Sequence, residues 1–151
     1  MGLRRLVYVS RAAPGISALD VEAVLAAAHA RNAPSGVTGL LLFDGRSFLQ
    51  YLEGEQDALQ PIFASIRSDE RHEDVVVLLD EAAESKVFDQ WSMGLLHVAG
   101  GLAPRGRHGA EGLTAQSLAN RLPEALPGDV RILIITFACG AYEPAMSRHF
   151  G

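Results

Sequence analysis

The sequence predicts an α+β fold of the ferredoxin-like type, in which two helices cover one face of a mixed β-sheet. Three observations support this prediction. Strand-like and helix-like segments follow the order β-α-β-β-α-β, and a fifth strand comes after them. The dipeptide Asp44-Gly45 is a strong tight-hairpin signal between the second and third strands. The chain has 151 residues, 48% of them apolar, which is enough for one domain with a packed core.

The first half of the pattern consists of a strand, a helix and a hairpin. Leu3 to Ser10 is rich in Val and Leu and predicts strand one. Helix one is predicted from Ala18 to Arg31, because Ser17 can cap its start and apolar residues follow at helical spacing. Val37 to Phe43 predicts strand two, and Ser47 to Glu53 predicts its antiparallel partner, strand three.

The second half of the pattern supplies the other helix and the outer strands. Helix two is predicted over Gln56 to Ser68. With Asp57 as its N-cap, Pro61 would fall in the first turn, where a missing N–H costs least. Val75 to Leu79 predicts strand four, and Trp91 to Val98 predicts strand five.

A C-terminal extension follows the predicted domain of residues 1–98. It comprises residues 99–151 and begins with a Gly- and Arg-rich stretch that is typical of a linker. A short helix is predicted over residues 115–122. Residues 129–139 fit both a strand and a helix, and we favour a helix because an aspartate can cap its start and Gly140 can end it. The extension is apolar, so we expect it to pack on the open face of the sheet or on another subunit.

Composition narrows the class of protein. A formal charge of -5 without any Lys/Arg cluster argues against a nucleic-acid surface. The single cysteine, Cys139, excludes an intramolecular disulfide, fits a reducing compartment and is expected to be buried. No apolar run approaches the roughly 18 residues of a membrane span, and the N-terminus lacks the apolar region of a signal peptide. We therefore expect a cytoplasmic protein without membrane contact.

Common catalytic signatures are missing from the sequence. It contains no glycine-rich phosphate loop, no paired cysteine motif and no nucleophile elbow. Its five histidines do not have the spacing of metal ligands. We therefore expect neither an enzymatic activity nor a metal site.

The unusual feature is a small set of polar side chains among apolar strands. Gln50 shares a face of strand three with Phe48 and Leu52, although an amide has donors and acceptors to satisfy. Tyr8 lies on strand one, which neighbours strand three in a ferredoxin-like sheet. The two side chains are therefore expected to meet beneath the gap between the helices, with Asn32 near its mouth.

Five sequence blocks between about Leu3 and Leu95 combine these residues with further ones. They are Leu6–Ala12, Asn32–Ala33 with Gly36–Leu42, Phe48–Gly54, Asp69–His72 and Phe88–Gly94. In this order and spacing they resemble the BLUF domain, a flavin-binding blue-light sensor, here of a short stand-alone type without an attached effector. A single block would be weak support, whereas five in order are specific.

The resemblance implies a non-covalent flavin site between helices one and two. The expected cofactor is FAD, with FMN or riboflavin also possible. Asn32 would hydrogen-bond the pyrimidine edge of the flavin, the adjacent Arg31 would reach a carbonyl of that edge, and Gln50 would bridge the flavin and Tyr8. The remaining expected site residues are Val24 and Ile66 against the ring faces, Asp69, Arg71 and His72 toward the ribityl-phosphate end, and Trp91 and Met93 beside Gln50.

The resemblance also implies a mechanism. Blue light would drive electron and proton transfer from Tyr8 through Gln50, and the rearranged Gln50 would persist after the flavin returns to its ground state. An amide suits this role, because two paired arrangements of similar shape can lie close in free energy. Strand five, with Trp91 and Met93, would pass the change to the extension and then to a partner protein. A homo-oligomer is expected.

Two other functions remain open on the residues alone. One is a regulatory module of similar fold that senses a small molecule other than flavin. The other is an acylphosphatase-like hydrolase using Arg11 and Asn32, which would leave Gln50 and Tyr8 unexplained. Each site residue also has an ordinary structural explanation when taken singly. Asn32, for example, could be a left-handed helix C-cap.

Overall fold

The computed structural model describes residues 2–88, 95–97, 118–120 and 122–139. The strands are β1 (Leu3–Ala12), β2 (Thr38–Phe43), β3 (Ser47–Glu55), β4 (His72–Ala82) and β5 (Leu95–His97), and the helices are α1 (Ala18–Asn32), α2 (Gln56–Arg67) and α3 (Gly128–Ala138), with a short 3-10 turn at Ala33–Ser35. This order confirms the predicted α+β pattern. It also confirms the helix that we favoured over residues 129–139.

The five strands form one mixed sheet in the order β4-β1-β3-β2-β5. β1 runs antiparallel to both β3 and β4, whereas β2 runs antiparallel to β3 and parallel to β5. β1 and β3 are therefore the neighbouring inner strands that the ferredoxin-like order predicts. In their register Tyr8 lies directly opposite Gln50.

Local signals in the sequence form as predicted. At the hairpin, the Asp44 carboxylate accepts hydrogen bonds from the N–H groups of Arg46 (2.9 Å) and Ser47 (2.8 Å), while Gly45 takes a φ of 100° that favours glycine. At the start of α1, the Ser17 hydroxyl accepts from the Asp20 N–H at 3.1 Å, and the Asp20 carboxylate accepts from the Ser17 N–H at 2.9 Å.

The sheet separates two apolar clusters. The helix-pair face is covered by α1 and α2, and its buried residues include Leu6, Tyr8, Val24, Phe48, Leu52 and Ile66. The α3 face carries the other residues of the alternating strands, and its buried residues include Val7, Leu42, Leu49, Tyr51, Ile134 and Phe137. The apolar side of α3 thus packs on the sheet face that α1 and α2 leave open. The division of the chain at residue 98 stays a prediction.

β4 is longer than predicted, because acidic residues at both its ends pair with arginines of β1. The pairs are Arg11–Glu73 (3.4 Å), Arg4–Asp80 (2.9 Å) and Arg5–Glu81 (2.8 Å). Asp and Glu have a low intrinsic preference for strands. This preference does not include the stabilisation that an oppositely charged partner on the neighbouring strand provides. The predicted strand Val75–Leu79 is therefore only the centre of the observed one.

The predicted N-cap of α2 is wrong. β3 continues through Gly54 to Glu55 and passes directly into the helix, so that Glu55 is the N-cap. Pro61 consequently lies in the second turn rather than in the first. It has no N–H for the carbonyl four residues earlier, yet the helix continues through it to Arg67.

Several predictions concern the C-terminal third. Strand five is described over Leu95–His97, while Trp91, Met93 and Gly140 lie outside the described residues. Of the short helix predicted over residues 115–122, residues 118–120 are helical, Leu122 is not, and 115–117 and 121 are also outside. Cys139 is exposed rather than buried, because it is the C-cap of α3. Within the described ranges, no helix is both long and apolar enough to cross a membrane.

Candidate functional site

Tyr8 and Gln50 form a hydrogen-bonded pair at the centre of the helix-pair face. The Tyr8 hydroxyl donates to Gln50 Oε1 at 2.5 Å. Tyr8 is fully buried and Gln50 is 2% exposed. Burial raises the pKa of the Tyr8 phenol far above its usual value, so the hydroxyl stays protonated and remains a donor. The Tyr8 hydroxyl thus pairs with the Gln50 carbonyl oxygen, which explains how this amide can lie among apolar strand residues.

Aromatic side chains enclose the Tyr8 ring. The centroid of the Phe63 ring on α2 lies 5.7 Å from the centroid of the Tyr8 ring. The His72 ring centroid lies 6.2 Å from it, with an angle of 75° between the two ring planes. Phe63 was not predicted as a site residue, because its helical spacing indicates only a core position. These contacts fix the direction of the phenol toward Gln50.

Asn32 is a fully buried amide at the end of α1. Its Oδ1 accepts a long hydrogen bond from Arg31 Nε at 3.4 Å, whereas its Nδ2 has no hydrogen-bond partner among the described residues. Its backbone is right-handed (φ −80°, ψ −38°), so Asn32 is not a left-handed C-cap. An orphaned buried donor is costly, and a ligand carbonyl would satisfy it.

Val24 and Ile66 are buried side chains on α1 and α2, and both belong to the cluster that contains Tyr8. The two helices thus each contribute an apolar wall above the Tyr8–Gln50 pair. Arg31 lies beside Asn32, and burial lowers the pKa of its guanidinium. Apolar walls with a few amide groups suit a planar ligand with a polar edge. The residues therefore fit a flavin ring.

Asp69 and Arg71 form a tight pair in the turn before β4. The Asp69 carboxylate accepts from the Arg71 backbone N–H (3.0 Å), from Nε (3.0 Å) and from Nη2 (2.9 Å). This hydrogen bonding to Arg71 holds the pKa of Asp69 below its usual range. The Arg71 cation is thus already paired, and a role at an anionic ligand would require it to share that carboxylate.

His72 lies inside the protein at the start of β4. It is 8% exposed, its Nδ1 is 2.9 Å from Ser10 Oγ, and its ring also packs on Phe48 at 4.9 Å. Burial lowers the pKa of the imidazole, and nearby Asp69 opposes that effect. The predicted residues Tyr8, Gln50 and His72 therefore belong to one buried group, to which the unpredicted Ser10 adds its hydroxyl.

The residues proposed for a hydrolase do not form a phosphate site. Arg11 Nη2 pairs with the carboxylates of Glu73 (3.4 Å) and Asp74 (2.7 Å), so its positive charge is already paired with acidic residues of β4. In the part of the chain that the structure describes, no group of three or more His, Cys, Asp or Glu could hold a metal ion.

Glu53 is a second buried polar centre, on the α3 face of β3. It is 1% exposed, and its carboxylate accepts from the hydroxyls of Tyr51 (2.7 Å) and Thr38 (3.0 Å) and from backbone N–H groups at residues 87 and 88. Sequence analysis placed it at a strand end and assigned it no role. The sequence feature that could have indicated this centre is a carboxylate that directly follows the apolar core of a strand.

Fold and site together define a small α+β module in which two helices cover a buried Tyr–Gln pair, with an unpartnered amide donor at the end of one helix. Residues 3–94 match the family model described as "BLUF: Sensors of blue-light using FAD". The chain belongs to this family. Residues 3–94 are thus a domain of a family of blue-light sensors that use FAD, and the BLUF domain is a sensor module.

Relatives carry this domain within longer proteins. The "Photoactivated adenylate cyclase subunit beta" of Euglena longa is 36% identical over 92 residues, which are 60% of this chain and 11% of that protein. The "Blue light- and temperature-regulated antirepressor BluF" of Escherichia coli (strain K12) is 36% identical over 93 residues, 62% of this chain and 23% of that protein. The chain thus spans only a minor part of these relatives.

A solved structure agrees with the fold. Klebsiella pneumoniae BlrP1 with FMN and cyclic diGMP superposes with a TM-score of 0.74 at 31% identity, over 92% of this chain and 35% of that one.

Proposed function

We propose that this chain detects blue light through the Tyr8–Gln50 pair, with FAD bound between α1 and α2. The observation that carries the proposal is the buried hydrogen bond from the Tyr8 hydroxyl to Gln50 Oε1. A bound flavin supplies light absorption and withdraws an electron from a nearby donor. With flavin bound, Tyr8 would be that donor, and its hydroxyl proton would leave through Gln50 Oε1; both the electron and the proton would return to Tyr8 as the flavin regains its ground state.

Gln50 then changes its hydrogen-bond pattern. Its amide has a donor end and an acceptor end of nearly equal shape, so rotation or tautomerisation exchanges them within the same buried space. Both arrangements keep partners, and a net hydrogen bond is worth only about 1 kcal/mol, so they lie close in free energy. This closeness allows the altered arrangement to persist.

The other site residues hold the cofactor in this proposal. The orphaned Asn32 Nδ2 donates to a carbonyl of the flavin edge, with Arg31 beside it. Val24 and Ile66 pack on the ring faces. Asp69, Arg71 and His72 would line the side of the ribityl phosphate, and Trp91 and Met93, outside the described residues, would flank Gln50. FAD is favoured by the family's description, and FMN or riboflavin fit the same ring contacts.

The output is proposed to be a protein–protein signal rather than a reaction catalysed by this chain. Strand five and the extension 99–151 would pass the change to a downstream signalling protein, with the chain acting as a cytoplasmic homo-oligomer. The apolar packing of α3 on the sheet supports this route, because it links the extension to β3. The relatives, a cyclase subunit and an antirepressor, indicate that this domain serves different outputs.

The visible spectrum before and after illumination tests the proposal. Purified protein supplied with FAD should be yellow, shift its flavin absorption slightly to the red in blue light, and recover slowly in the dark. Gln50→Ala should bind flavin and lose the shift. Gln60→Ala changes the same residue type at an exposed position of α2 and should keep it. A protein that stays colourless would instead favour a module for another small molecule.

A further inference from the structure

We propose that Glu53 is a positioning residue that anchors the chain leading into β5, so that a rearrangement at Gln50 is transmitted to the α3 face. This inference rests on the proposed function. Glu53 follows Gln50 by three positions on β3, and strand alternation places the two side chains on opposite faces. Gln50 contacts Tyr8 on one face, whereas Glu53 contacts Tyr51 on the other.

The Glu53 carboxylate is saturated with donors. Oε1 accepts from the Tyr51 hydroxyl at 2.7 Å, and Oε2 accepts from the Thr38 hydroxyl at 3.0 Å. The Val87 N–H lies 3.0 and 2.9 Å from the two oxygens, and the Phe88 N–H donates to Oε2 at 2.6 Å. Hydrogen bonds to an ionised carboxylate are shorter and stronger than those between neutral groups. This carboxylate therefore holds residues 87–88 firmly.

In the described part of the chain, the backbone N–H groups of residues 87 and 88 donate to the Glu53 carboxylate and not within a helix or strand. β4 lies at one edge of the sheet and β5 at the other, so the connection between them must cross the three inner strands. Residues 83–88 of that connection form neither helix nor strand. Backbone N–H groups inside a protein need an acceptor, and here the Glu53 carboxylate accepts from them in place of a neighbouring strand. Lys86 Nζ adds a second tie by donating to the Gly36 carbonyl at 2.6 Å.

The same stretch reaches the surface that α3 covers. The Phe88 ring packs on the Tyr51 ring with centroids 5.7 Å apart, and both residues belong to the α3-face cluster. Tyr51 directly follows Gln50 in β3. A shift of this strand at Gln50 would therefore move Tyr51 and Glu53, and with them residues 87–88 and the packing of α3. This continuous set of contacts is the physical basis of the proposed coupling.

The test compares Glu53→Gln with Glu55→Gln in the full chain loaded with FAD. Glutamine keeps the size of glutamate, but its NH₂ group cannot accept from a backbone N–H. We expect the red shift of Glu53→Gln to keep its amplitude, because Tyr8 and Gln50 lie on the other face. Dark-state hydrogen exchange at Val87 and Phe88 should accelerate roughly tenfold, and the light-induced exchange change in α3 should vanish. Glu55 is exposed, and its variant should match the wild type in all three readouts.

The inference is overturned if Glu53→Gln keeps wild-type protection at Val87 and Phe88, or if it keeps the wild-type light response in α3. A purely structural anchor would change exchange in the dark but leave that light response intact. Should Glu53→Gln fail to fold, hydrogen exchange in the dark wild type decides the anchoring, because the Val87 and Phe88 amides should be protected although neither lies in a helix or strand. Unprotected exchange at both amides would overturn it. A wild-type chain without a red shift overturns the proposed function and the signalling step, while dark-state exchange still decides the anchoring.

Discussion

The two faces of the sheet differ in how their main buried polar group is hydrogen-bonded. On the helix-pair face, the Asn32 amide keeps a buried donor that no described residue satisfies. On the α3 face, the Glu53 carboxylate is paired with two hydroxyls and two backbone N–H groups. An unsatisfied buried amide can receive a ligand, whereas a fully paired carboxylate holds structure. β3 belongs to both and can connect them.

The largest expected effect is on the α3 face, at an apolar residue that contributes to stability by packing. Ile134 is fully buried against the sheet, and Ile134→Ala should lower the free energy of unfolding by about 2–5 kcal/mol. Ile132 lies two residues earlier on the same helix and is 65% exposed, so Ile132→Ala should change it by less than about 0.5 kcal/mol. Chemical denaturation measures both. Equal costs for the two variants would mean that α3 does not pack on the sheet as described.

A smaller and opposite effect is expected on the helix-pair face. Asn32→Ala should weaken flavin binding by about 1–3 kcal/mol, because it removes the donor for the flavin edge. The flavin-free protein should lose no stability or gain some, since the substitution removes an orphaned buried donor. Titration calorimetry and denaturation without flavin separate the two effects.

Asn120→Ala serves as the control for Asn32→Ala, because Asn120 is an exposed asparagine. It should change neither flavin affinity nor stability. An Asn32→Ala variant that binds flavin as tightly as the wild type would remove Asn32 from the site.

The smallest expected effect is a pH dependence at His72. Burial lowers the pKa of this imidazole below its unfolded value of about 6.5, so the unfolded chain binds a proton more readily than the folded one. Stability from this residue is thus complete above about pH 6.5 and falls as the pH decreases toward the folded pKa. Denaturation at about pH 7.5 and about pH 5.5 should therefore show a smaller acid loss for His72→Asn than for the wild type. An identical loss would show that His72 titrates as it does in solvent.

Much of the fold could be predicted from the sequence, because hydrophobic periodicity and turn residues are local signals. The Asp44-Gly45 hairpin, the Ser17–Asp20 capping pair and the central β1–β3 pairing all form as expected. The ends of β4 could not be predicted, since they depend on arginines of another strand. The N-cap of α2 was misplaced for a similar reason, because a strand passing directly into a helix leaves no loop signal.

The site was predictable only in part. The Tyr8–Gln50 pair follows from alternation and strand order, and the structure contains it. The interior position of His72 was missed, because its partner Ser10 is 62 positions away along the chain. Glu53 was missed because its donors come from a segment without secondary structure. The roles of all these residues toward a flavin stay predictions.

The most direct test of the central claim compares two tyrosines by light-minus-dark absorption spectra. Tyr8→Phe removes the hydroxyl that donates to Gln50, and Tyr51→Phe removes a hydroxyl from the opposite face of the neighbouring strand. We predict that both variants bind FAD, that Tyr8→Phe shows no red shift and that Tyr51→Phe shows the full wild-type shift. A full red shift in Tyr8→Phe would contradict the account.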